Sequence, residues 1–164
     1  MNIEEYNNLQ IKENNNQIAI DFDGVIHKNS KGFYDGTVYD PPIEGTIETI
    51  KKLSEKYTIV IFTAKVKPDR PLVNGKTGEE LIWEWLDKYK ISSYIKEITC
   101  EKPRAVVYID DRAIGFKDWD SCLVKLKTIE EERERLIWQS KTLFQKMEEF
   151  FIKTLSDLNI LKEK

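Results

Sequence analysis

The stretch Ala105-Val106-Val107-Tyr108-Ile109-Asp110-Asp111-Arg112 decides the fold. An apolar, β-branched run ends abruptly in two adjacent carboxylates. A second run, Ile18-Ala19-Ile20, ends the same way in Asp21-Phe22-Asp23-Gly24. Consecutive apolar residues without polar alternation fit strands covered on both faces, as in a parallel sheet. In such sheets ligands bind beyond the carboxyl ends of the strands. Two buried strands that each deliver acids there predict a single site at the lip of the sheet.

Between and around these strands the pattern alternates. Gln17 to Phe22 reads as the first strand and Thr58 to Phe62 as the second, ending in Thr63-Ala64-Lys65. Ile43, Ile47, Ile50 and Leu53 recur at helical spacing after Pro41-Pro42, and Glu79 to Tyr89 reads as a second helix. Tyr94 to Thr99 is a short third strand, and Cys122 to Leu126 a last, edge strand. Strands alternating with helices predict a three-layer α/β domain with a central, doubly wound parallel sheet. Asn29, Ser30, Gly32, Asp35 and Gly36, flanked by Phe33, Tyr34, Val38 and Tyr39, predict a hairpin-like flap. Residues 1–16, polar and Asn-rich, read as an arm or a short capping helix.

From Thr128 the character changes. Thr128 with Glu131 matches a capping box, and a helical pattern runs on to about Leu161 without Gly or Pro. We therefore divide the chain into a core, 1–127, and a C-terminal helical extension, 128–164. With 164 residues there is room for one α/β domain with a real core. A net charge of −3 offers no general attraction to nucleic acid or anionic membranes. The two cysteines, Cys100 and Cys122, lack metal-knuckle spacing, and a reducing, cytoplasmic setting is expected. The acidic start predicts no signal peptide, and no run of about 18 apolar residues predicts a membrane span.

The polar strand ends carry the chemistry. Asp21, Asp23, Asp110 and Asp111, brought together, would repel one another. A hard divalent cation with oxygen ligands resolves that repulsion, and Mg²⁺ is the usual choice where phosphate also binds. One carboxylate then serves as a nucleophile and another as a general acid/base. The Thr63 hydroxyl and the Lys102 ammonium suit phosphoryl oxygens.

This ordered set resembles the haloacid dehalogenase-like hydrolase superfamily. Asp21-Phe22-Asp23-Gly24-Val25 looks like its first motif, Phe62-Thr63 its second, Lys102 its third and Asp110-Asp111 its fourth. The resemblance covers roughly residues 17–126. It implies the family's Rossmann-like fold and Mg²⁺-dependent hydrolysis of a phosphomonoester. Asp21 would attack phosphorus, and Asp23 would protonate the leaving oxygen and then activate water. Thr63, Ala64 and Lys102 would hold the transferring phosphoryl group. Asp21, Asp110, the Asp23 carbonyl and Asp111, directly or through water, would ligate the metal. An acid at Asp23 marks the family's phosphatases rather than its dehalogenases. Neither gap between the motifs has room for a full cap, so the resemblance is to the minimal, capless kind. The expected partner is a small phosphorylated substrate, with a nucleotide or polynucleotide end as the alternative. A phosphate-binding or scaffolding protein without turnover is the non-enzymatic alternative.

The remaining residues have plainer readings. His27, the only histidine, reads as a solvent-exposed flap residue. Arg112 either pins Asp111 or reaches the substrate, and Lys65 is a further candidate substrate contact. Lys65, Lys67, Arg70 and Lys76 form either a solvated loop or a basic rim. In the C-terminal helix, Ile129, Leu136, Leu143 and Phe150 recur every seven residues, as do Ile137, Phe144, Phe151 and Leu158. With Met147 they make one broad apolar face, which packs on the sheet domain, pairs two copies of the chain, or leans over the open site as a substitute cap.

Overall fold

The computed structural model of the chain describes residues 2–5 and 16–157. The rest of the expected N-terminal arm, and Leu158 of the heptad series, lie outside the described residues. Asn2 and Glu5 exchange hydrogen bonds, each side chain accepting from the other's backbone N–H, as at the start of a short helix. The chain divides into two compact units, Met1–Arg112 and Ala113–Lys164.

The first unit is built on four strands: β1 (Gln17–Ile20), β2 (Thr58–Phe62), β3 (Ile95–Thr99) and β4 (Val107–Ile109). All neighbours run parallel, in the order β3-β2-β1-β4. Helix α1 (Thr46–Ser54) joins β1 to β2, and α2 (Gly78–Lys88) joins β2 to β3. The strand order reverses between β1 and β4, so the crevice at the carboxyl ends of those two strands is the topological switch point.

Register explains the core. Ile18 lies opposite Ile59 and Ile20 opposite Ile61, which puts four β-branched side chains on one face. Ile50 of α1 and Ile82, Trp85 and Leu86 of α2 join them in one buried cluster with Phe22. Each fully buried Ile or Leu contributes roughly 1.5–3 kcal/mol. Because β1, β2 and β3 step across the sheet in one direction, right-handed crossovers place α1 and α2 on the same face. This accounts for a single cluster. Ala19 and Val60, which alternate to the opposite face, are buried as well. The expected three layers are thus realised in part: among the described residues of this unit, the helices lie on one side.

Two further expectations change. The strand ending in Asp110-Asp111 is not buried. It is an edge strand paired with β1 only, and Val107, Tyr108 and Ile109 are 36–47% exposed. The flap is not a hairpin, since residues 28–41 form no ladder. They make a loop of successive turns closed by Lys28 N–H on Pro41 O, with Gly32 N–H on Asn29 O and Gly36 N–H on Phe33 O. Side chains brace it from within: the Tyr39 hydroxyl donates to Gly32 O and the Asp40 carboxylate accepts from Ser30 N–H. The 3-to-4 connection, residues 100–106, contains no helix. It is tied to the buried side chain of Gln17, whose Nε2 donates to Arg104 O at 2.7 Å. Gln17 also accepts from Lys96 of β3, so one side chain at the amino end of β1 holds both flanks of the connection.

The second unit is dominated by α3 (Trp119–Asp157). The edge strand expected at Cys122–Leu126 is helical, and the helix starts nine residues before Thr128. Asp118 explains both, because its carboxylate accepts from Ser121 N–H at 2.8 Å and caps the first turn. Hydrogen bonds from Ser121 hold the Asp118 carboxyl below the usual carboxylate range. The two compact units divide at Arg112/Ala113, ahead of this helix. Thr128 lies within the helix and bonds back to Val124 O. At 39 residues the helix is roughly 58 Å long. No helix among the described residues is long and apolar enough to cross a membrane.

Candidate active site

The site begins where β1 ends. The Asp21 N–H extends the sheet ladder to Ile109 O at 2.9 Å, which brings the last residues of β1 and β4 side by side. Asp21 Oδ1 accepts the Phe22 N–H at 2.7 Å and is thereby oriented. A tight turn follows, with Ile26 and His27 N–H both on Phe22 O and Gly24 N–H on His27 O. Gly24 has φ +93°, and a Cβ there would sit 2.7 Å from Asp111 Oδ2. Glycine is required twice over, for the backbone conformation and for the approach of Asp111. Across the crevice, Asp110 Oδ1 accepts the Arg112 N–H at 2.7 Å.

One carboxylate oxygen each from Asp21, Asp110 and Asp111 lie within 4.8 Å of one another. Two unit charges about 5 Å apart repel by roughly 3 kcal/mol at an effective dielectric constant of about 20. The cluster therefore needs a proton or a cation. Burial above all, then the charges of Asp110, Asp111 and Asp23, push the Asp21 carboxyl up to about 6, against the Phe22 N–H that favours the anion. An all-carboxylate set without His or Cys suits a hard divalent ion such as Mg²⁺, not Zn²⁺.

A cavity of about 320 Å³ opens over these acids, lined among others by Asp21, Asp23, Thr63, Ala64, Asp110 and Arg112. Thr63 is buried, takes its N–H to Thr99 O and caps the single 3₁₀ turn Ala64–Val66 by accepting from Lys65 N–H. That turn inserts Lys65 into the wall of the cavity. A buried Lys needs partners, and Lys65 has them: Nζ donates to Thr37 O at 3.3 Å and lies 3.7 Å from Asp23 Oδ2. The close packing of α2 against this turn fixes it there, because a Cβ on Gly78 would lie 2.3 Å from Lys65 O.

The sequence-derived site residues are placed as follows. Asp21, Asp23, Thr63, Ala64, Lys65, Asp110 and Arg112 share the cavity wall. Asp111 joins the carboxylate cluster. Lys102 is not brought to the cavity; its ammonium lies over the Tyr108 ring, 4.9 Å from the centroid. The connection that carries it is anchored at Arg104 to Gln17, at the end of β1 remote from the acids. Arg112 lines the cavity, and its Nε lies 3.9 Å from Asp111 Oδ2. Of the basic rim, Lys65 and Arg70 line the cavity, whereas Lys76 is engaged by Glu84 at 2.6 Å.

Sequence reasoning missed Asn29 and Phe33 in the wall; Arg70, of the expected rim, has its guanidinium 5.0 Å from the Phe33 ring centroid. It also misplaced His27. This residue is fully buried, not exposed, with Nδ1 2.8 Å from Asp23 Oδ1. Its only sequence signal is the four-residue spacing from Asp23, which has no meaning until the turn after β1 is known. Compared with protein-family models, curated proteins and solved structures, the chain matches none.

Proposed function

We propose that the protein is a Mg²⁺-dependent phosphomonoester hydrolase that works through an aspartyl-phosphate on Asp21. The observation that carries this reading is the convergence of Asp21, Asp110 and Asp111 within 4.8 Å at the switch point of a parallel sheet. The resemblance of the four motifs to the haloacid dehalogenase-like hydrolases supports it. In the first half-reaction an Asp21 oxygen bonds to phosphorus while the bond from phosphorus to the leaving oxygen breaks. Asp23 gives that oxygen its proton. In the second, Asp23 takes a proton from water, the water oxygen bonds to phosphorus, and Asp21 departs as a carboxylate. Thr63, the Ala64 backbone and Lys65 hold the phosphoryl oxygens, Lys65 standing where Lys102 was expected. Asp21, Asp110, Asp111 and the Asp23 carbonyl would hold Mg²⁺, which when bound neutralises charge on the phosphoryl group.

The pairing of Arg70 with Phe33 in the wall favours, as a second reading, a substrate with further phosphates or a base, such as a nucleotide or a polynucleotide end. Hydrolysis of p-nitrophenyl phosphate with Mg²⁺ tests the main reading. Asp21→Asn should lower kcat by about 10³-fold or more, since it removes the nucleophile. Equal rates for the two proteins would instead leave a phosphate-binding or scaffolding role.

A further inference from the structure

We propose that His27 is a positioning residue that fixes the orientation and the proton-carrying oxygen of Asp23; this rests on the hydrolase reading above. His27 is fully buried, and both of its ring nitrogens are engaged. The Asp40 backbone N–H points at Nε2 from 2.9 Å. A backbone amide can only donate, so Nε2 carries its lone pair and the ring proton is on Nδ1. Nδ1–H therefore donates to Asp23 Oδ1, 2.8 Å away.

The ring has no freedom to turn. Phe22 stacks on it at 5.4 Å between centroids, and Trp85 and Tyr39 meet it edge-on at 5.8 and 5.2 Å. The Asp40 peptide that sets the tautomer is itself clamped, because Trp85 Nε1 donates to Asp40 O at 2.8 Å. The chain of contacts thus runs from α2 through the base of the flap loop to Asp23. With Oδ1 turned to Nδ1–H, Oδ2 is the oxygen left to face a substrate and exchange a proton. That is the oxygen near Lys65. A backbone donor imposes this arrangement.

The test separates positioning from packing. The amide nitrogen of His27→Asn stands where Nδ1 was and keeps the donor to Asp23. The carbonyl of His27→Gln stands near Nε2 and keeps the acceptor for Asp40. Expected is a crossover. His27→Gln loses about 10–100-fold in kcat, His27→Asn loses less than about fivefold, and KM stays within about twofold for both. Tm ranks the other way, with the Gln variant the more stable. Rates that simply follow Tm overturn the proposal. Nitrogen-15 NMR of the imidazole in the wild-type chain reads the tautomer directly, since there is one histidine to assign. Nδ1 should be protonated and Nε2 not, and the Nδ1 proton should shift in Asp23→Ala. Protonation at Nε2 overturns the proposal whatever the activity. Absence of Asp21-dependent hydrolysis would refute the hydrolase reading instead, with the nitrogen shifts still reporting whether His27 donates to Asp23.

Discussion

Asp21 carries a conflict that sets the behaviour of the site. It must be an anion to attack phosphorus, yet burial and three neighbouring carboxylates raise its pKa from 3.8 to about 6. In the unfolded chain it ionises near 3.8. Between those values the folded state binds more protons than the unfolded one, so stability falls as pH rises through the window. Above about 6 the full cost remains. Without divalent cations, Asp21→Asn should therefore raise Tm at pH 7, and the gain should shrink as pH falls toward 4. Asp21 is half-buried, so screening reduces the effect to the order of 1 kcal/mol, or about 2–4 °C. Mg²⁺ should stabilise the wild type more than the variant. A gap in Tm that stays flat with pH would show that the charge of Asp21 carries no such cost.

At the scale of elements, the site depends on short loops pressed onto rigid ends. The turn Ala64–Val66 places Lys65 only because α2 starts directly above it, with no side chain at Gly78. Thr77 caps that helix in a reciprocal pair with Glu80. Gly78→Ala makes a clean contest between two effects. Helix propensity favours alanine by about 1 kcal/mol. The clash is with a backbone carbonyl, which cannot swing aside, and overpacking of this kind costs about 1–3 kcal/mol. The clash wins, so the variant should have a lower Tm, and displacement of Lys65 should raise KM for p-nitrophenyl phosphate. An unchanged Tm and KM would mean that α2 does not hold the turn.

At the scale of the molecule, α3 presents Leu136, Ile137, Leu143, Phe144, Met147, Phe150 and Phe151, all 46–71% exposed. A patch of this extent is costly in water, which favours covering it. The seven-residue spacing suits a helix of the same kind, so we expect a dimer of two copies. Light scattering on the full chain should give twice the monomer mass, and Phe144→Glu with Phe151→Glu should return the monomer. Monomer mass for the unaltered chain would remove this expectation.

What was legible from the sequence alone is what local chemistry dictates. The runs Ile18-Ala19-Ile20 and Thr58 to Phe62, rich in β-branched residues, favour strands, and an acid ending such a run lies at the carboxyl edge of the sheet. The parallel sheet and the placing of Asp21, Asp23, Thr63 and Asp110 at one edge follow from that. Short apolar runs are ambiguous, however, and Cys122 to Leu126 became helical because Asp118 supplied a cap upstream. Only the tertiary structure could decide where long-range partners put the rest. Gln17 anchors the connection that carries Lys102, Gly78 lets α2 press Lys65 into the cavity wall, and Asp40, thirteen residues away, gives His27 its tautomer and its aim. Burial and hydrogen-bond partners depend on residues distant in the chain, and a histidine four positions after an aspartate says nothing until the turn between them is closed.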